Sequence, residues 1–418
     1  MSKIKSIKAY EILASDGLPT LKCRVETDDG FRGLAAVSYG VSAGSHEASV
    51  LFDGDESRYL GHGLLKECET IEQVIAPELL GKDILAQQDL DTFMIALDGT
   101  DRKEKLGGNV ILAVSMAVSR AAACASNLEL YEYLEKTFGT QRGSCLPKPM
   151  VVTIEGGKHA DNSTDLQEYL LTVTSTESVK ENVRVASEIY HEAKKILKDK
   201  GFSVNVGNEG AFAPEGITSN TLPLEILKDA ISQAGYKPGR DAWISLDSAS
   251  SEFFKNGVYN FACEKRTLTP VELLAWYEQI VEDYPIYSLE DGFSEDSWED
   301  WTRSMERLGS KVVIVGDDLT VTNTKRLQKA IDEKAINAIL IKLNQAGTVS
   351  ETMAACKLAR ENGFAVLPSH RGGGESNDTF LVDLAVAVGA DFIKVGITRG
   401  ERVVKYNRLM EIERILDE

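Results

Sequence analysis

Hydrophobic and polar positions alternate along residues 3–37, and the alternation is interrupted by turn residues, which predicts strands rather than a helix. The runs IKSIKAYEI, LKCRVET and FRGLAAV carry a period of two. The turn Asp28-Asp29-Gly30 separates the last two, so the segment reads as a meander of three antiparallel strands. From about 66 to 136 the period becomes helical, through LLKECETIEQVIAPELL, DLDTFMIALDG and the long NVILAVSMAVSRAAACASNLELYEYLEK. The last is alanine-rich and apolar on most faces, which predicts a buried helix. Glycines and prolines then gather in TFGTQRGSCLPKP, the expected seam between an N-terminal α+β domain over 1–136 and a second domain over 137–418.

After Pro149 short β-rich runs (PMVVTIE, EYLLTVT, WISLD, IYSLED, KVVIVGDD, AILIKLN, FAVLPSH, FIKVG) alternate with helical stretches at 177–200, 270–284, 298–308 and 349–362. Strands alternating with helices predict an α/β fold whose parallel sheet closes into an eightfold, TIM-like barrel. Polar residues mark the ends of the runs or the loops after them: Glu168, Glu209, Asp247, Glu290, Asp317, Lys342, His370 and Lys394. In such a barrel the C-terminal strand ends share one face, where function concentrates.

Asp247, Glu290 and Asp317 lie on three successive candidate strands, a hard-oxygen set of the kind Mg²⁺ prefers. Without a cation, three such carboxylates would repel one another strongly. A free lysine, with a pKa of about 10.4, is a poor base at neutral pH. Beside divalent cations and a second lysine, Lys342 is expected to be depressed into a usable range. Glu209, in the glycine-rich NVGNEGAFAP, is expected to be pushed toward its protonated form by neighbouring carboxylates and to serve as a general acid.

Composition narrows the function classes. The 418 residues are 43% hydrophobic and 27% charged, with a net charge of −19. Nucleic-acid and anionic-membrane partners need a basic surface and are not expected. An anionic substrate on so acidic a chain needs local cations. Cys23, Cys68, Cys124, Cys145, Cys263 and Cys356 form no C-x-x-C pair, as expected of free thiols in a reducing compartment. No apolar stretch approaches the roughly 18–20 residues of a membrane span. The N-terminus lacks the apolar core of a signal peptide, so a cytoplasmic location is expected.

NVILAVSMAVSRAAA, GGKHADNSTDLQE, NVGNEGAFAP, SLDSASSEFF, YPIYSLEDGFSEDSWEDW, IVGDDLTVTNTKRL, IKLNQAGTVSE, LPSHR and GERVVKYNRL together resemble enolase (phosphopyruvate hydratase) segments, in order along the chain. The resemblance implies an α+β N-terminal domain, a barrel with atypical first units, and reversible dehydration of 2-phosphoglycerate to phosphoenolpyruvate with two Mg²⁺ ions per site. It implies that Asp247, Glu290 and Asp317 ligate the first ion and Ser42 the second. Lys342 would be the base that takes the α proton, and Glu209 the acid that protonates the leaving hydroxyl. Glu168 and Gln167 would lie near that hydroxyl, His159 and Arg371 at the phosphate, and Lys394 and His370 would be electrostatic partners of the substrate. It also implies a homodimer, with larger rings as an alternative.

Five positions depart from the family pattern. Gly372 replaces a phosphate-binding serine in a loop one residue longer, removing a charge-assisted hydrogen bond of about 1.5–3 kcal/mol that a backbone nest would partly replace. Asn208 replaces an aspartate, Glu155 an asparagine, and Tyr39 and Ala43 replace small polar groups on the loop SYGVSAG. These changes leave open a related enzyme acting on a phosphonate or phosphinate analogue. A non-catalytic enolase-like protein is the third reading, and it would be expected to lose Lys342, Glu209 or a metal ligand.

Overall fold

The structure, a computed structural model, describes residues 2–40, 44–143 and 146–418. Strands β1 (Ile4–Leu13), β2 (Pro19–Thr27) and β3 (Arg32–Ala36) form the meander, with Ala9 opposite Cys23 and Cys23 opposite Ala35. Their inward residues Ile7, Leu21, Cys23, Val25 and Ala35 are buried, as period-two alternation requires. They pack on the helix Gly108–Ala125, whose other faces meet the helices Gln87–Asp98 and Leu130–Phe138.

That helix corrects one expectation. By length and composition it could cross a membrane, although Ser115, Ser119 and Arg120 interrupt the apolar run and hide this in the sequence. It is apolar all round because it is 83% buried inside the protein.

Eight strands build the second sheet: β4 (Lys148–Glu155), β5 (Glu168–Val173), β6 (Ala242–Asp247), then, after the small ribbon of β7 (Phe254–Lys255), β8 (Val258–Phe261) and β9 (Arg266–Leu268), strands β10 (Ile286–Glu290), β11 (Val313–Gly316), β12 (Ala338–Ile341), β13 (Ala365–Pro368) and β14 (Phe392–Gly396). Their order is β13-β12-β11-β10-β6-β5-β4-β14. A bridge between Ser369 and Lys394, with the His370 N–H donating to the Lys394 carbonyl at 3.1 Å, closes the ring. Met150, Val152, Leu170, Val315, Leu340 and Leu367 fill its centre, so the barrel is a packed core with its chemistry at one end.

The alternation of strands and helices predicts a wholly parallel sheet, and the structure departs from it at one strand. β5 runs antiparallel to β4 and β6. Residues 156–167 hold no crossover helix, and without one the chain can only turn back on itself. Glu168 therefore begins its strand rather than ending it. The reversal still brings it to the functional face, opposite Glu155 on one side and Asp247 on the other.

The outer helices begin where local chemistry fixes them. At Pro270–Asp283, Pro270 occupies the first turn, the Thr269 hydroxyl accepts the Glu272 N–H at 3.3 Å, and Glu272 accepts the Thr269 N–H at 2.8 Å.

Candidate active site

The strand-end side chains converge on two lysines, Lys394 buried and Lys342 half-buried. Lys394, at the middle of β14, places its ammonium 2.9 Å from Glu168 Oε2, 2.9 Å from Asp247 Oδ2 and 2.7 Å from Glu290 Oε1. Burial works against its charge, but the three carboxylates outweigh burial and raise its pKa well above the ordinary lysine value. Lys342, just beyond β12, pairs with Asp317 at the end of β11, and Gln345 donates to the other Asp317 oxygen at 2.8 Å.

Asp247, Glu290 and Asp317 thus stand on three adjacent strands, each nearly inaccessible to solvent. Burial and then the charge of Asp247 raise Glu290 well above the usual carboxylate range, whereas the Lys342 partner holds Asp317 below it against burial. These hard oxygens, crowded enough to perturb one another, fit a Mg²⁺ ligand set. Among the described residues, two groups bring ligand-type atoms within 4.8 Å of one another: Asp291, Asp317 and Asp318, and Glu155, His159 and Glu209. Asp291 accepts the N–H groups of Asp317 at 3.0 Å and Asp318 at 2.9 Å, so it orients the end of β11. Ser42 and Ala43 lie outside the described residues.

A second cluster surrounds Glu209. His159 Nδ1 lies 3.3 Å from Glu209 Oε2 and 3.6 Å from Glu168 Oε1. His370 Nε2 lies 3.2 Å from Glu209 Oε1, and Arg402 donates to His370 Nδ1 at 2.6 Å. A guanidinium cannot accept, so Nδ1 is the acceptor and the ring proton sits on Nε2, facing Glu209. Burial and then Arg402 push His370 down to about 4, leaving it a neutral donor.

One expectation about protonation is corrected here. Burial alone would raise Glu209, but His159 and His370 outweigh it and hold its pKa well below the ordinary value. Among the protein groups alone, Asp317 outweighs burial and raises Lys342; the depression expected for it depends on divalent cations beside it. Burial and the neighbouring Glu209 charge fall instead on Glu168, which is raised well above the carboxylate range.

Arg371 reaches Glu47 of the N-terminal domain at 3.1 Å and Asn344 at 3.3 Å. Gln167 is buried with its Oε1 unpaired, and both ring nitrogens of His159 lack an aligned hydrogen bond. Buried polar groups left open in this way suit a cavity that receives a polar ligand. Glu47, Gln345, Asn344 and the buried trio Arg402, Lys405 and Glu375 were not singled out in the sequence. They are charged or amide residues on helices and loops, with no local signal of burial.

A family model for the enolase C-terminal TIM barrel domain matches residues 143–418, and one for the enolase N-terminal domain matches residues 4–134. The chain belongs to the enolase family. Membership supports a lyase-type activity, and the enolase frame gives meaning to the departures. Tyr39, three residues beyond β3, is tied to two neighbours: its hydroxyl donates to Asp16 at 2.8 Å and its N–H to the Gly374 carbonyl at 3.0 Å. Asn208 turns its carbonyl to Arg399 and Arg402, both at 3.1 Å.

Gly372 is the departure with a steric reason. A Cβ there would fall 2.5 Å from the His159 ring and 2.9 Å from Glu209 Oε1. Restoring the serine is therefore expected to displace His159, not simply to add a phosphate contact. Gly372→Ser should lower turnover by about 10- to 100-fold, the usual cost of a misplaced group. Steady-state kinetics check this, and an unchanged or increased rate would show that His159 yields freely.

Proposed function

We propose that the protein is a Mg²⁺-dependent hydro-lyase that reversibly dehydrates 2-phosphoglycerate to phosphoenolpyruvate through an enolate of the substrate. One observation supports this above the others. Lys342 follows β12 and Glu168 opens β5, four places apart in an eight-stranded ring, with Glu209 joined to the Glu168 side through His159. A base and an acid on opposite sides of the ring suit an elimination in which proton and hydroxyl leave from opposite faces.

Lys342 as the free amine takes the proton alpha to the carboxylate. The electron pair passes into the carboxylate, then returns to form the double bond as hydroxide leaves with the proton of Glu209, as water. Asp247, Glu290 and Asp317, with Ser42 for a second ion, would hold Mg²⁺, which supplies positive charge against the substrate carboxylate. Lys394, His159 and Arg371 add fixed cationic or donor groups, and Gln167 and Glu168 border the leaving hydroxyl. The ionised Glu209 and protonated Lys342 favoured by the protein groups correspond to the state left after dehydration, ready for the reverse hydration.

Glu209→Gln separates the two halves of the reaction. It should retain exchange of the α proton with solvent while dehydration falls about 10²- to 10⁴-fold, the range of a lost general acid. Parallel loss of both would remove Glu209 from the acid role. The altered Gly372 and Tyr39 side favours one second reading, a phosphonate or phosphinate analogue as substrate, which side-by-side turnover of the two ligand classes distinguishes. We further infer a cytoplasmic homodimer without nucleic-acid or membrane partners, on the acidic charge of the chain and the enolase resemblance.

A further inference from the structure

The loop that carries Glu209 is held from two sides by opposite chemistry. Glu155, the last residue of β4, is wholly buried, and its Oε1 accepts the Ala211 N–H at 3.2 Å. The Glu209 N–H reaches the same carboxyl group at 3.2 and 3.3 Å. From the other side Arg399 donates to the carbonyls of Gly207 and Asn208, both at 3.1 Å. The loop passes so close over Glu155 that a Cβ on Gly207 would fall 2.6 Å from its carboxyl carbon.

We propose that Glu155 is a positioning residue for the dehydration step: by holding the amides of Glu209 and Ala211 it fixes the Glu209 carboxyl at the leaving hydroxyl. This rests on the reading of Glu209 as acid and Lys342 as base.

A residue needed only to fill space at a buried strand end would be apolar, since burying a carboxyl is costly unless it is hydrogen-bonded. Here the Ala211 N–H falls on Oε1 and the Glu209 N–H spans both oxygens, so the buried carboxyl is hydrogen-bonded to the loop it supports. Burial, then the charge of Glu209, pushes Glu155 up to about 9. At neutral pH it stands protonated and Glu209 carries the negative charge of the two. Glutamine is then a close isostere that keeps an acceptor beneath both amides. Alanine removes the acceptor, and aspartate withdraws it by one methylene.

The test uses the full chain with Mg²⁺ and 2-phosphoglycerate, measuring solvent exchange of the α proton and dehydration separately. Glu155→Gln should keep both rates within about threefold. Glu155→Ala and Glu155→Asp should lose dehydration about 100-fold, the cost of roughly 1 Å of misplacement, while exchange stays within about threefold. If the alanine variant does not fold, the aspartate variant carries the same comparison. The proposal is overturned if exchange and dehydration fall together, if neither falls, or if glutamine is as damaging as alanine. A wild-type protein that exchanges no α proton overturns the enolase-type reading and this role with it. A wild-type protein with both rates, whose ratio ignores position 155, overturns the role of Glu155 alone.

Discussion

Lys342→Ala is expected to lower turnover of 2-phosphoglycerate by about four orders of magnitude, the upper end of what a positioned general base contributes. Exchange of the α proton with solvent should fall by the same factor, because on the proposed mechanism both begin with proton removal by this amine. The loss is large because the second lysine of the site, Lys394, is occupied by three carboxylates and held charged. It has no free electron pair to offer. The variant also leaves Asp317 without its cationic partner, with Gln345 still donating to the other oxygen. Turnover within tenfold of wild type, or exchange that persists while dehydration stops, would show that the proton leaves to another group.

The contrast with Glu209→Gln matters more than either rate alone. One variant stops both steps and the other stops only the second, a pattern that general damage to the site does not produce. The arrangement that predicts it was only partly legible in the sequence. Barrel strands are covered on both faces, so they appear as unbroken apolar runs, and the polar residue ending each run marks the functional face. Asp247, Glu290, Asp317 and Lys342 were readable for that reason. The direction of β5 was not, because an apolar run is the same read either way, and only the missing crossover in 156–167 shows that Glu168 starts its strand.

Protonation was the least legible property. Glu209 is shifted opposite to the sequence-based expectation, since its deciding partners, His159 and His370, arrive from elsewhere in the chain, as Asp317 does for Lys342. His370 in turn depends on Arg402, in the C-terminal helix Gly400–Asp417, where an arginine gives no sign that it is fully buried. Glu47, from the N-terminal domain, meets Arg371 only after the two domains dock.

Lys394→Met should show the largest effect on stability. Lys394 is 1% exposed and its ammonium touches Glu168, Asp247 and Glu290, so its removal leaves buried carboxylates uncompensated. Breaking a buried ion cluster from one side costs about 3–5 kcal/mol, which for a domain of this size corresponds to a fall of roughly 5–8 °C in melting midpoint. The sign of the pH dependence follows from the lysine. Its folded pKa is raised, so its stabilisation is present throughout the neutral range and is lost only when the pH climbs past the ordinary lysine value. Wild type and variant should therefore differ at neutral pH and converge in strong alkali. Added Mg²⁺ should restore more stability to the variant than it adds to wild type, because any ligand that binds only the folded state stabilises it by mass action and here the ion also replaces a missing cation. Thermal melts with and without Mg²⁺ read both effects without substrate. A variant that melts with wild type and ignores the ion would mean that Asp247 and Glu290 do not share a site with it, and the proposed metal centre would have to be abandoned.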